Sequence, residues 1–276
     1  MSKKTLLQMS AKRVEDILGA RLDEIVITRA AFGLFFSGVK LSTGQGGLCF
    51  TPLKSIPEAV CCPSSAKAMP LSGKLAGRKA SEYLSYIESD NMLKKTLGIA
   101  ALNALSTLIM EEGGMDQYEL LRNTDAFDIL DLVPGQKTVV VGALVPVFKK
   151  LIKGENEFTI LEMDPRTLKG KELDHYLPAE RAEEVVPYAD LLVITGTTLI
   201  NNTLDGLLAM AKKGARILVT GPTVSMLPDV LFEHGVTMVG GIIVTDPDAA
   251  LDIICEAGSG YHMFGTSAER TVIRKK

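Results

Sequence analysis

The sequence predicts an α/β chain of two domains: an N-terminal α+β unit over residues 1–110, then a parallel sheet with helices on both faces over residues 111–276. Three observations carry this. From about residue 139 onward, short β-branched runs alternate with helical segments, as in a parallel α/β sheet. Before that point a helix, three strands and two helices follow one another without the alternation. The length, 276 residues, suits one large domain or two ordinary ones at roughly 100–200 residues each.

Residues 5–19 place Leu6, Met9, Val14, Ile17 and Leu18 at near-helical spacing, and Gly19 is a natural stop. Residues 22–29 and 31–41 read as strands, with Gly33 and Gly38 inviting bends. A glycine-rich turn, residues 42–47, leads to a third strand at 47–52. Residues 54–73 hold Pro57, Pro63 and Pro70 among small residues and read as an ordered, irregular loop. Helices follow at 75–88 and 92–110. The second is apolar almost all round, so it is buried on most sides, and Asn103 is its polar exception. Strands are then expected at 138–142, 158–161, 191–195, 216–220 and 236–244. Helices are expected between them at 146–153, 178–186, 202–213 and 225–234, and a last one at 247–257. This second half reads as Rossmann-like, with right-handed crossovers stacking helices on both faces.

Composition narrows the function. Apolar residues make up 46 % and charged residues 23 %, which excludes a wholly disordered chain. The net charge of −3 leaves no basic surplus for phosphates, so nucleic acid is not expected as a partner. Mean hydropathy is +0.20, yet no apolar run approaches the ~18–20 residues of a membrane span. Met1-Ser2-Lys3-Lys4 leads into an amphipathic segment and not a secretory core, so a soluble cytoplasmic protein is expected. Cys49, Cys61, Cys62 and Cys255 form no C-x-x-C pair, and His175, His234 and His262 are dispersed. Four reduced thiols are expected, mostly buried; the alternative is a soft metal-binding or redox-sensitive face at Cys61-Cys62-Pro63-Ser64-Ser65.

Ligands of an open parallel sheet bind beyond the C-terminal strand ends. Here those ends read Gly142 to Pro146, Glu162 to Pro165, Thr195 to Thr203 and Gly221-Pro222-Thr223. Thr195, Gly196, Thr197, Thr198, Asn201 and Thr203 lie in one nine-residue stretch before a helix, with four threonines and two asparagines. Hydroxyls, amides and a helix N-terminus suit a carboxylate or phosphate. N-capping by Asn201 or Asn202 accounts for only one or two of them. Gly44, Gln45 and Gly46 offer backbone N–H groups and an amide, or else form a long glycine-rich hairpin. Asn103 is either a satisfied core amide or a group aimed at a ligand. The segment 260–265 is a C-terminal flap or a docked tail. A dinucleotide fingerprint is missing, because Gly142 is followed by no further glycine at G-x-G-x-x-G spacing. Glu162 stands where an acid grips ribose hydroxyls.

These motifs together resemble the putative heavy-metal chelation family. The residues behind the resemblance are Thr43-Gly44-Gln45-Gly46-Gly47, Gly98 to Ala104, Val141-Gly142 with Pro146, and Glu162 with Pro165. Thr195-Gly196-Thr197-Thr198 with Asn201 and Thr203, then Gly221-Pro222-Thr223, extend it over nearly the whole chain. The resemblance implies an enolase-N-terminal-like domain joined to a Rossmann-like one, a shared site in the cleft between them, and a role in handling metals or metal-chelating molecules. Soft metals want thiolates and imidazoles, whereas these motifs carry hydroxyls, amides and a carboxylate. A metal is therefore expected to arrive with a chelator, or as a hard ion on Glu162 or Asp164.

The expected function is binding of a small polar or anionic metabolite or metal chelate between the domains, with Glu162 as the candidate acid–base or hydroxyl-binding group should a reaction follow. The alternative is a nucleotide-cofactor enzyme, an NAD(P) dehydrogenase or S-adenosylmethionine methyltransferase with a degenerate glycine loop. A third reading is a non-catalytic scaffold whose apolar faces form a homo-oligomer.

Overall fold

A computed structural model describes residues 4–55, 71–154 and 156–276. Cys61-Cys62-Pro63-Ser64-Ser65 lies outside these residues. Helix α1 (Leu6–Leu18) begins with a capping box, in which Thr5 Oγ1 accepts from the Gln8 N–H and Gln8 Oε1 accepts from the Thr5 N–H. Its buried stripe is Leu6, Leu7, Ala11, Val14 and Leu18, while Ile17 faces outward. A 3-10 turn at Gly19–Glu24 occupies the start of the expected first strand, burying Leu22 from a helical turn. The strand β1 (Val26–Phe32) therefore starts late. The expected 31–41 strand is divided, because Gly33 donates to the Phe36 carbonyl and turns the chain into β2 (Phe36–Leu41). Then come β3 (Gly46–Phe50), a two-residue β4 (Arg78–Lys79) and α2 (Ala80–Ser85). The expected helix at 75–88 is thus shorter, since Arg78 and Lys79 pair with the edge of β1. The long α3 (Met92–Glu111) is capped by Asn91 and buried from Leu93 to Ile109 on nearly every side.

The second half contains β5 (Tyr118–Arg122), β6 (Thr138–Val141), α4 (Val145–Lys153), β7 (Phe158–Glu162) and β8 (Tyr176–Pro178). It continues through β9 (Leu191–Thr195), α5 (Leu204–Met210), β10 (Arg216–Thr220) and α6 (Asp229–Glu233). It ends with β11 (Met238–Val244), α7 (Pro247–Cys255), α8 (Gly260–Met263) and β12 (Ala268–Lys275). Residues 179–184 form a 3-10 segment where an α-helix was expected. Strands β5, β8 and β12 were not anticipated.

One mixed sheet joins these strands in the order β4-β1-β2-β3-β11-β10-β9-β6-β7-β8, with β12 on β11 and β5 on β12. Strands β11, β10, β9, β6, β7 and β8 run parallel, and the order reverses between β6 and β9. Their side chains alternate between two buried faces. Val139, Val141, Leu192, Ile194, Ile217 and Val219 pack with α1, α3, α5 and α6. Val140, Ile160, Val193 and Leu218 pack with Val147, Phe148 and Leu151 of α4. Strand β11 is longer than β10: its first residues pair with β10, and Val244 at its end pairs with Gly46 of β3. The sheet is therefore split between the C-terminal end of β10 and β3, with β11 holding both sides.

Surface ion pairs add to the joint. Arg29 of β1 bridges Asp248 and Asp252 of α7 at 2.7 Å each, and Lys40 of β2 reaches Asp248 at 2.5 Å. Lys40 and then Arg29 hold the Asp248 carboxyl below its ordinary range. A carboxyl depressed in the folded state adds stability above its unfolded value near 3.9 and loses it as pH falls through the folded value. These groups are at least partly solvent-exposed, from Lys40 at 27 % to Asp252 at 66 %, so the effect is small and salt-sensitive. Thermal unfolding of wild type and Asp248→Asn is expected to differ at pH 6 and converge below pH 4. A constant difference across that range would rule the pairing out.

Candidate functional site

The split in the sheet opens a cavity of about 740 Å³. Its floor is made by the strand ends: Gly142 and Pro146 after β6, Glu162 closing β7, and Thr195, Gly196, Thr197 and Thr198 after β9. Asn201, Thr203, Gly221, Pro222 and Thr223 complete that side. Phe35, Phe36 and Phe50 of the first half also line it, as do Thr124 to Phe127, Ser259 to Tyr261, Phe264, Arg270 and Thr271. Twelve of the sequence-predicted residues thus share one cavity.

Local geometry explains the residue types. Gly142 takes φ +93°, and a Cβ there would lie 2.6 Å from the Thr195 methyl, so glycine lets the β6 and β9 loops touch. Among the described residues none accepts from the N–H of the adjacent Ala143, which lines the cavity. Glu162 Oε1 accepts from the N–H groups of Met163 (2.8 Å) and Asp164 (3.1 Å), which fixes the carboxylate at the strand end. Thr195 Oγ1 and Thr197 Oγ1 lie 3.2 Å apart, while the Thr198 hydroxyl donates to the Thr195 carbonyl at 2.7 Å. The Thr198 hydroxyl is thus committed to its own turn, while Thr195 and Thr197 form a half-buried hydroxyl pair in which Thr195 Oγ1 also accepts from the Thr197 N–H.

Two expectations about this loop change. Residues 196–199 form a 3-10 turn, and α5 starts only at Leu204, so no helix N-terminus follows Asn202 directly. Asn201 Oδ1 accepts from the N–H and hydroxyl of Thr203, which closes a turn instead of capping a helix. Asn202 adopts φ +59° and accepts from the Lys95 ammonium of α3, whose pKa is pushed down by burial.

Gly44, Gln45, Gly46 and Asn103 do not line the cavity. Gln45 donates to Glu111 at the end of α3, and a Cβ on Gly46 would strike Val244 and Pro247. Asn103, 1 % exposed, donates through Nδ2 to the carbonyls of Leu48 (2.8 Å), Pro222 (3.2 Å) and Thr223 (3.1 Å). Thr223 Oγ1 in turn accepts from the Phe50 N–H. Asn103 is a core amide that clamps β3 to the 222–223 turn; it shapes the cavity from behind.

Among the described residues, metal-binding side chains are dispersed. Asp164 is occupied by Arg166 (2.7 Å) and Lys54 (3.1 Å), which hold it well below the usual carboxylate range. Cys49 is buried, and burial pushes its thiol up, while Cys255 is exposed. His175 stacks on Phe158, His234 Nδ1 sits 2.8 Å from the Val230 carbonyl, and His262 Nδ1 accepts from the Ser259 N–H. Among the described residues, no three His, Cys, Asp or Glu side chains group to hold a metal ion. The segment 260–265 begins as α8, and its Gly260, Tyr261 and Phe264 line the cavity, with Tyr261 almost fully exposed.

Sequence reasoning missed the aromatic wall and Arg270. A signal existed for the first: Leu34-Phe35-Phe36 cannot alternate in and out of a half-buried strand, so part of that run must stay exposed, as Leu34 and Phe35 do.

Comparison with known proteins agrees with this architecture. Two family models, both described as "Putative heavy-metal chelation", match residues 125–273 (DUF364) and 15–106 (DUF4213). An uncharacterised protein of Methanocaldococcus jannaschii is 32 % identical over 194 residues, covering 69 % of this chain and 70 % of its own. Among solved structures, a protein of unknown function from the DUF364 family of Pyrococcus horikoshii superposes with a TM-score of 0.76 at 21 % identity, over 98 % of this chain and 99 % of its own. A DUF364 protein of unknown function from Desulfitobacterium hafniense gives 0.74 at 22 % identity, over 97 % and 100 %. At these identities the solved structures speak for the fold alone. The family models speak for more, and the chain belongs to the putative heavy-metal chelation family.

Proposed function

We propose that this protein binds a small anionic organic ligand that carries or captures a metal ion. Its site is the cleft between an enolase-N-terminal-like domain (residues 1–110) and a Rossmann-like domain (residues 111–276), and it works in the cytoplasm. The observation that carries this reading is the donor set of the 740 Å³ cavity. The adjacent Thr195 and Thr197 hydroxyls, Ala143 and the Glu162 carboxylate line it together with Phe35, Phe36 and Phe50. Hydroxyls, amides and backbone N–H groups recognise oxyanions and hydroxyls; the apolar wall takes an organic body. A bare soft cation prefers thiolate and imidazole, so the metal is supplied on a chelator. Among the described residues Glu162 Oε2 has no partner, so it can accept from a ligand hydroxyl or amine, and Glu162 is the acid–base candidate if the ligand is also transformed.

The test is thermal unfolding of chelator-treated protein with nickel or zinc alone, with picolinate or citrate alone, and with each metal–chelator mixture. A complex present at a hundred times its Kd stabilises by about 2.7 kcal/mol, a shift of several degrees. The mixtures are expected to stabilise the wild type and not Gly142→Ala, whose added methyl would displace Thr195. Stabilisation by NAD(P) or S-adenosylmethionine and by no chelate would replace this reading with a nucleotide-cofactor enzyme.

A further inference from the structure

Arg270 is the one cationic side chain among the described residues that line the cavity. It is also the exception among the ten arginines of the chain. Each of the other nine donates a hydrogen bond to a protein oxygen, as Arg29 does to Asp248, Arg216 to Gln136 and Arg274 to Glu119. The same holds for Arg13, Arg21, Arg78, Arg122, Arg166 and Arg181. Arg270 makes no such bond to the described residues. Its Nε stands 3.3 Å from Asp125 Oδ2, and its guanidinium carbon lies 4.3 Å above the centre of the Phe264 ring.

Those two contacts orient the group without using its other end. Asp125 is itself fixed, because its Oδ1 accepts from the Phe127 N–H at 2.9 Å. Arg270 sits inside β12, opposite Ile242 of β11, so a strand and not a loop sets its Cα position. Stacking on an aromatic face covers one side of the guanidinium plane and leaves its edge open. That edge carries the four N–H donors of the two Nη nitrogens, a fork that matches the spacing of oxygens on a carboxylate or phosphate.

We propose that Arg270 receives the anionic group of the ligand. The two Nη nitrogens take a carboxylate or phosphate, and Asp125 and Phe264 act as positioning residues. This rests on the reading that the cavity binds an organic ligand, and it names the group by which that ligand is held.

The test titrates the full-length protein with inorganic phosphate, with picolinate, and with neutral picolinamide, all free of metal. Binding is followed by calorimetry and by the Arg270 Nε–H resonance, assigned through its loss in Arg270→Lys. At least one of the two anions is expected to bind and shift that resonance. Arg270→Gln should weaken this binding by about ten- to a hundredfold, the range for a hydrogen bond to a charged group. Arg270→Lys should recover part of the loss, and picolinamide should not respond to either change. Tighter phosphate and tighter picolinate both support the proposal and identify the group. It is overturned if neither anion moves the resonance, or if folded Arg270→Gln binds them as the wild type does. A nickel arm separates the two readings: anion binding that needs Arg270 and ignores nickel sinks only the chelate reading, whereas nickel-dependent binding indifferent to Arg270→Gln sinks only this one.

Discussion

Gly47→Ala is expected to destabilise the protein by about 3–5 kcal/mol, lowering Tm by roughly 10 °C. Gly47 lies in β3, where the strand crosses α3, and a Cβ built on it would stand 2.0 Å from the Ala100 carbonyl oxygen and 2.5 Å from the Ala104 nitrogen. Both are backbone atoms of a helix buried on nearly all sides, so no side chain can swing away to make room. The strand and helix would have to separate, losing contacts along both. Gly206→Ala provides the opposite case. It sits in α5 with nothing within 4 Å of its would-be Cβ and no left-handed backbone, so alanine should stabilise by about 0.4–1 kcal/mol. Urea unfolding of the two variants beside the wild type measures the contrast. A Gly47→Ala midpoint equal to wild type would mean that β3 does not rest on α3 as described.

That same glycine shows where the sequence was legible and where it was not. The motif at 43–47 is rich in glycine, a residue that serves a ligand and a crossing helix equally well, and only the tertiary partner decides between them. Gly46 and Gly47 serve packing, and Asn103 serves a clamp. Strands β6, β7, β9 and β10 were readable to within a residue at either end. Both of their faces are buried, and this writes continuous runs of Val, Ile and Leu. Their loops were readable for a related reason, since strand ends rich in glycine, threonine and asparagine stand out against such runs. Strands β5 and β12 were hidden by charge. Glu119 pairs with Arg274 and Arg122 with Glu269 across the two strands, so each segment alone looks like solvated surface. Arg270 and Thr271 went unseen with them, because a strand missed takes its cavity-facing residues along.

Asn103→Asp is expected to cost about 3–5 kcal/mol at neutral pH, although the two side chains have nearly the same shape. The native amide directs its NH2 at three carbonyl oxygens, those of Leu48, Pro222 and Thr223, while Oδ1 has no partner among the described residues. Replacing that NH2 by a carboxylate oxygen turns three attractions into three repulsions inside a site closed to water. Only the protonated acid can restore a donor, so the introduced group should have a folded-state pKa raised above its unfolded value near 3.9. A raised acid loses stability as pH rises from the unfolded value through the folded one, and the deficit is smallest at low pH. Urea midpoints of the variant and the wild type at pH 4.5, 6 and 7.5 should therefore draw together toward the acid end. The clamp also sets where Pro222 and Thr223 stand at the cavity, so any anion binding measured for the wild type should fall in Asn103→Asp even where the variant remains folded. A deficit that is the same at all three pH values would show that Asn103 does not face the carbonyls of β3 and the 222–223 turn. The joint across the split sheet would then need another explanation.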